Sequence, residues 1–328
     1  MTTVTNPVRF GVLGCADVAW RRTLPAFAES ATATVTAVAS RDKDKARRFA
    51  DRFECETVLG YDALLDRSDI EAVYIPLPTG LHHEWCAKAL RAGKHVLAEK
   101  PLATTHQQAA ELAGLARETG LCLMENRMFV QHTQHDAVRK LVANGELGEL
   151  RVFNSTMAFP PLSAQDVRYR PDLGGGALLD AGFYPLHAAM LFLAEPLEVL
   201  GANLRRDPVS GVDVRGSVLL RAGDGVTAHL TFGFEHSYRS HYELWGSRGR
   251  LTLERAFTPP PDFQPVIRVE RQDGTEQITL PPSHQYRDTI DAFTTAVRDG
   301  VPLDAHLETA VRGAALMDAV RTVNQPLE

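Results

Sequence analysis

Cysteine is scarce in this chain: Cys15, Cys55, Cys86 and Cys122 are the only four among 328 residues, set far apart and without CxxC or HxxxH spacing. That scarcity argues against a disulfide framework and against a clustered zinc site, so no metal is expected and the thiols read as small fillers in a reducing compartment. Long apolar runs are missing as well, which excludes a membrane-spanning helix. The opening residues, MTTVTNPVRF, lack the basic start and apolar stretch of a signal peptide and pass straight into a strand-like segment. A cytoplasmic protein is the expectation. An excess of basic charge is absent too: 35 Lys and Arg stand against 41 Asp and Glu, a formal net charge of -6. Neutralising nucleic-acid phosphates needs a basic excess on at least one face, so nucleic acid is not an expected partner. There is no internal repeat and no low-complexity tract.

What is present is the mix of an ordinary globular protein, 44% hydrophobic and 23% charged, in a chain long enough to split into two domains. From Val8 to about Gly148 strands and helices alternate. RFGVLG, TVTAVAS, AVYIPLP, HVLAEKP and LCLMENR read as strands, and KDKARRFADRF, HHEWCAKALRAG and HQQAAELAGLARETG as helices, the last two ending at a glycine suited to a C-cap. Such crossovers predict a parallel sheet covered on both faces. After about residue 150 the texture changes to alternating strands, VRGSVLLRAG, VTAHLTFGFEH, HYELWGS, GRLTLERAF and PVIRVERQDG, with GDG, GSRG and QDGT as turns. These predict an open, mostly antiparallel sheet. The closing segments YRDTIDAFTTAVRDG and LETAVRGAALMDAVRTV are helical, and they can pack on that sheet or return to the first domain. The expected fold class is α/β followed by α+β, with domains at residues 1–148 and 149–328.

Four segments carry chemistry. Gly11-Val-Leu-Gly14-Cys15-Ala16-Asp17-Val18-Ala19 follows the first strand and fits G-x-G-x-x-G only with alanine in the second and third glycine places. An ordinary strand–turn–helix could give the same string, but a helix N-terminus after the first strand of a βαβ unit suits a pyrophosphate. At the end of the second strand, where an NAD enzyme carries an acidic residue for the ribose 2′-hydroxyl, stand Ser40 and Arg41. A hydroxyl and a guanidinium suit a 2′-phosphate, which makes NADPH/NADP⁺ the expected cofactor; the alternative is basic residues that only solvate the next helix. Further on come Ala98-Glu99-Lys100-Pro101, at the carboxyl end of a predicted parallel strand, and Gly174-Gly-Gly-Ala-Leu-Leu-Asp180-Ala-Gly182-Phe-Tyr184-Pro-Leu-His187. A loop charge and an ordinary helix start are the bland readings of these two.

Taken together, the segments resemble the glucose–fructose oxidoreductase, inositol dehydrogenase and MocA family. Its hallmarks are the EKP lysine and a GGGxLxDxGx(H/Y) stretch, and Trp245-Gly-Ser-Arg-Gly-Arg-Leu is similar to its WGTKG-type turn. Tyr184 in place of histidine resembles the subgroup with dihydrodiol dehydrogenases, pentose dehydrogenases and deoxysugar 3-ketoreductases, and GCADVAWRRTLP looks most like ketoreductases of dTDP-linked deoxysugars. The resemblance implies an N-terminal Rossmann domain and a catalytic pair, Lys100 and Tyr184, acting on one substrate oxygen; either can be the proton donor. An ammonium would stabilise charge developing on that oxygen, and a phenol could deliver the proton. The implied cofactor-binding set is Gly14, Cys15, Ala16, Asp17, Val18, Ser40, Arg41, Leu77, Pro78, His82, Glu99, Lys100 and Arg170. Leu77, Pro78 and His82 belong to the loop that lines the nicotinamide, with helix capping the alternative for His82 and a surface ion pair the alternative for Arg170. Asp180 and Tyr184 would hold substrate, and His187 stands where many histidine-type members have a further aspartate. For a nucleotide-linked sugar, Arg21, Tyr238 and Tyr286 are candidates for the diphosphate and base. The function this implies is NADPH-dependent reduction of a sugar ketone. The alternatives are oxidation of a free aldose or trans-dihydrodiol, and a non-catalytic NADP-binding regulator. The long strands between Val212 and Glu270 would expose one face of a sheet, so a homo-oligomer, dimer or tetramer, is expected.

Overall fold

A computed structural model describes residues 6–301 and 303–324. The chain divides into two compact units, residues 1–131 with 285–311, and residues 132–284 with 312–328. In the first, strands β1 (Val8–Leu13), β2 (Ala33–Ser40), β3 (Glu56–Leu59), β4 (Ala72–Ile75), β5 (His95–Glu99) and β6 (Leu123–Asn126) form one sheet in the order β3-β2-β1-β4-β5-β6. Every neighbouring pair is parallel. This is the order of a doubly wound dinucleotide-binding sheet, in which ligands lie beyond the carboxyl ends of the strands.

Period-two alternation sends Leu13, Ile75 and Val96 to one face, where they pack with Cys86, Leu90 and Leu112 of α4 (His82–Arg91) and α5 (His106–Thr119); α1 (Leu24–Glu29), α2 (Lys43–Phe53) and the short α3 (Tyr61–Leu65) precede these. Phe10, Val12 and Tyr74 go to the other face, against Phe27 of α1 and Phe49 of α2. Asp42 caps α2 by accepting from the backbone N–H of Asp44 and Lys45, both at 3.0 Å. The edge strand β3 escaped the sequence reading because three of its four residues are exposed and it lacks an apolar run.

In the second unit, after α6 (Thr133–Ala143), eight strands follow: β7 (Leu150–Ala158), then, beyond the short helices α7 (Ala177–Asp180) and α8 (Phe183–Phe192), β8 (Glu198–Arg206), β9 (Asp213–Arg221), β10 (Thr227–Gly233), β11 (Arg239–Gly246), β12 (Gly249–Glu254), β13 (Val266–Arg271) and β14 (Gly274–Thr279). Their order is β14-β13-β12-β11-β7-β10-β9-β8. All pairs are antiparallel except β7 with β10. Apolar but for His187 and the Tyr184 hydroxyl, α8 packs on this sheet, its Phe192 ring 4.9 Å from that of Tyr242.

The boundary at residue 148 is corrected to 131, and the next helix explains why the first unit also takes a distant segment. Helix α9 (Gln285–Asp299) sets Phe293 5.7 Å from Phe10, while its Asp291 accepts from Ser30 at 2.6 Å and Thr32 at 2.8 Å. It thus completes the apolar cover over β1. The last helix, α10 (Asp304–Val323), begins in the first unit and ends in the second. Among the described residues no helix is long and apolar enough to cross a membrane.

Candidate active site

At the carboxyl edge of the parallel sheet the chain leaves β1 through Gly14, whose φ of +117° and proximity to Leu77 leave no room for a side chain: a Cβ would sit 2.7 Å from Leu77 Cδ2. That cradle fits a backbone that must approach a pyrophosphate closely. Cys15, Ala16 and Val18 are half-buried and Asp17 is exposed; residues 17 and 18 open the helical stretch that continues through a π turn (Ala19–Thr23) into α1. Its first amides lack intrahelical partners and suit an anion. Arg21 pairs with Asp17 one turn earlier, both side chains well exposed, a contact weak enough to yield to a diphosphate. Burial pushes the Cys15 thiol up, and that of Cys55 to about 11, so neither is a ready nucleophile.

Ser40 ends β2, its Oγ accepting from the Asp42 N–H at 3.1 Å. Arg41 is exposed, near enough to Tyr61 for its charge to oppose the rise that burial imposes on that phenol's pKa. An exposed guanidinium at this strand end suits an anion.

Lys100 follows β5 and is half-buried. Its backbone N–H donates to Glu99 Oε2 at 3.3 Å, while Glu99 Oε1 accepts from Tyr74 and from Asn126 Nδ2, each at 2.7 Å. Two residues on, the Leu102 N–H donates to Glu125 Oε1 at 2.7 Å, and Glu125 pairs with Arg127 at 3.3 Å. Burial raises both carboxyl pKa values; the positive charge of Lys100 is among the effects that oppose this. Glu99, expected among the cofactor ligands, is buried: Oε2 takes the Lys100 N–H, and Oε1 the donors of Tyr74 and Asn126.

His82 was expected in the same set. Its ring is fully buried, Nδ1 2.8 Å from the carbonyl oxygen of Pro101 and Nε2 2.7 Å from that of Leu77. Leu77 itself is nearly buried behind Gly14, and Pro78 is half-buried beside it. Tyr286 packs against the apolar cluster of Phe10 and Phe27 and is no free platform for a base.

In the second unit Gly176 opens α7 at φ +120°, and Asp213 of β9 accepts the Leu178 N–H at 2.6 Å. Asp180, at the end of α7, accepts from Arg168 Nε at 2.5 Å, and Arg168 also bonds Asp166 at 3.1 Å. Arg170 is paired with Asp172 at 2.7 Å, both more than half exposed, a surface ion pair as weak as that of Arg21 with Asp17. Tyr184 stands in the first turn of α8, nearly buried, its ring 5.4 Å from that of Phe257. His187 stacks on Phe183 at 3.8 Å and donates from Nδ1 to the Phe183 carbonyl at 2.9 Å. Tyr238 is half exposed under the guanidinium of Arg255, 5.7 Å away. The first unit thus gathers the turn, Ser40–Arg41 and Lys100, and the second gathers Asp180, Tyr184 and Tyr238. The sequence reading missed Tyr74, Glu125, Asn126, Arg168 and Asp213. Only the polar end of the strand LMEN, at a parallel sheet's carboxyl edge, offered a signal for any of them.

Residues 8–127 match the NAD-binding Rossmann fold of the Gfo/Idh/MocA oxidoreductase family, and residues 135–252 match that family's C-terminal domain. The chain is 54% identical to the dTDP-3,4-didehydro-2,6-dideoxy-α-D-glucose 3-reductase of Saccharopolyspora spinosa, covering 96% of this chain and 97% of that one. Identity to the enzyme of the same name from Actinomadura kijaniata is 53%, covering 97% and 96%. A solved 3-ketoreductase from Actinomadura kijaniata, in complex with NADP and TDP-benzene, superposes with a TM-score of 0.96 at 52% identity over 98% of both chains. With both family domains matched in order along its length, the chain belongs to the Gfo/Idh/MocA oxidoreductase family.

Proposed function

We propose that this protein reduces the C-3 ketone of a dTDP-linked deoxysugar with NADPH. The observation that carries the reading is the lysine at the carboxyl end of β5, its backbone fixed by buried side chains, in a chain alike over nearly its full length to 3-reductases of such sugars. When bound, NADPH supplies the hydride. Gly14 to Val18 would hold its pyrophosphate, and Ser40 and Arg41 its 2′-phosphate. Lys100 stabilises the negative charge that grows on the carbonyl oxygen, and Lys100 or Tyr184 delivers the proton. Asp180, oriented by Arg168, holds a sugar hydroxyl, while Tyr238 offers an aromatic face to the thymine.

The test is NADPH consumption on a dTDP-linked 3-keto-2,6-dideoxyhexose, beside oxidation of free aldoses and a trans-dihydrodiol with NADP⁺. Turnover confined to the free aldoses or the diol would replace the substrate, and none at all would leave a cofactor-binding regulator. Arg41→Ala is expected to weaken NADPH by about 10- to 100-fold, the worth of one charged hydrogen bond, with little change for NADH. Equal losses for both in a titration would show that Arg41 does not read the 2′-phosphate.

We further propose a homo-oligomer built on the outer face of the second sheet, where Trp245 is 53% exposed. Light scattering at micromolar concentration should give a multiple of the chain mass, and a monomer would refute it. A cytoplasmic setting fits an enzyme that draws on NADPH and a nucleotide-linked sugar.

A further inference from the structure

The segment that carries Lys100 is held by side chains at three successive backbone groups. The Lys100 N–H goes to Glu99 at 3.3 Å, the Pro101 carbonyl faces His82 at 2.8 Å, and the Leu102 N–H goes to Glu125 at 2.7 Å. Glu99 ends β5 and Glu125 is the last residue but one of β6, so the two tie this segment to the sheet. His82 differs, because its other nitrogen faces the Leu77 carbonyl at 2.7 Å, in the loop between β4 and α4. Leu77 in turn abuts Gly14, where a Cβ would touch it at 2.7 Å.

One fully buried ring therefore spans the dinucleotide turn's neighbour and the lysine's segment. A neutral imidazole donates to one of the two carbonyls, and a protonated ring donates to both. Burial, the largest effect, and Lys100 favour the neutral form; the two carbonyls oppose them. In either state the ring fixes the separation of the two loops, because a planar five-membered ring cannot shorten or flex.

We infer that His82 is a positioning residue for the reduction: it acts through Lys100, setting where the ammonium stands relative to the loop of Leu77 and Pro78. The inference rests on the proposed role of Lys100. His82→Phe keeps a planar ring and removes both polar contacts, and His82→Gln keeps one donor, so the two separate packing from hydrogen bonding. The expected result is a loss in kcat of about 10- to 100-fold for His82→Phe, the scale of a displaced catalytic group, with partial recovery in His82→Gln. NADPH affinity should stay within about threefold, since most of the dinucleotide is held elsewhere.

The decisive measurement is a double-mutant cycle with Lys100→Met. If His82 acts through the lysine, its replacement costs less than about twofold once the lysine is gone. The same fold-loss in both backgrounds, or a wild-type kcat in a folded His82→Phe, would overturn the inference while leaving the role of Lys100 intact. Should His82→Phe not fold, His82→Gln runs the same cycle with the same two outcomes. Wild-type turnover in Lys100→Met itself would remove the proposed catalytic role, and the positioning role with it.

Discussion

Lys100→Met is expected to lower kcat by about 100- to 1000-fold, the loss seen when one preorganised donor to a developing oxyanion is removed. Methionine keeps an unbranched, flexible stem one atom shorter than that of lysine and discards the ammonium with its charge and its donors. NADPH affinity should change little, because the turn at Gly14 and the Ser40–Arg41 pair lie on other strands. Charge on the substrate oxygen appears as hydride reaches carbon, so the lysine's contribution belongs to the transition state and its loss falls on kcat rather than on binding. A secondary effect follows from the buried carboxylates. Lys100 is one of the charges that hold the Glu99 and Glu125 carboxyls down, so in Lys100→Met both rise further above the ordinary carboxylate value. Steady-state kinetics on a confirmed dTDP-sugar, with NADPH titrated by fluorescence, would check both parts. Unchanged turnover would mean that another group carries the oxygen's charge.

The second large effect is expected at Gly176→Ala, far along the sequence from the lysine. Gly176 has φ +120° and ψ 149°, a region essentially reserved for glycine, and an L-residue held there costs about 1–3 kcal/mol. The new Cβ would also lie 2.4 Å from Asp213 Oδ1, on the carboxylate that accepts the Leu178 N–H at 2.6 Å. Displacing that carboxylate removes the cap of α7, worth about a further 0.5–2 kcal/mol. Asp180 ends α7 and Tyr184 begins the next helix, so both should move off their positions and kcat should fall at least tenfold, on the scale of a misplaced catalytic group. Gly201→Ala is the contrast: that glycine has open space around it, and substitution should leave stability within about 0.5 kcal/mol. Urea unfolding and kcat for both variants would decide the matter. A Gly176→Ala protein as stable and as active as wild type would show that the glycine is not required by the turn.

Neither effect depends on residues that announce themselves individually. The lysine was legible because EKP sits at the carboxyl end of an apolar run, and the glycines because three occur together before an apolar helix. Asp213 was not legible: it begins β9 as one polar residue among alternating ones, and only chain folding brings it to α7. The same holds for the choice between two arginines. Arg168 and Arg170 are equivalent in sequence, yet Arg168 orients Asp180 while Arg170 is spent on Asp172 at the surface. His82 was expected at the nicotinamide because its loop resembles that of the family; its burial between two carbonyls depends on where Leu77 and Pro101 come to lie.

The alternation of strands and helices in the first half, the basic end of β2 at Ser40–Arg41 and the two motifs of the candidate site were all legible in the sequence alone. Hydrophobic periodicity, glycine geometry and side-chain charge act over a few residues, and no tertiary contact is needed to read them. It took the folded chain to show that α9 crosses back to cover Phe10, that β7 lies beside β10 in the middle of the second sheet, and that Glu99, His82 and Glu125 meet the backbone of residues 100–102. Those outcomes turn on which buried groups meet in the packed fold, as His82 and Pro101 do from 19 residues apart and Phe10 and Phe293 from opposite ends of the chain, and a buried polar group takes whichever partner comes within hydrogen-bond reach.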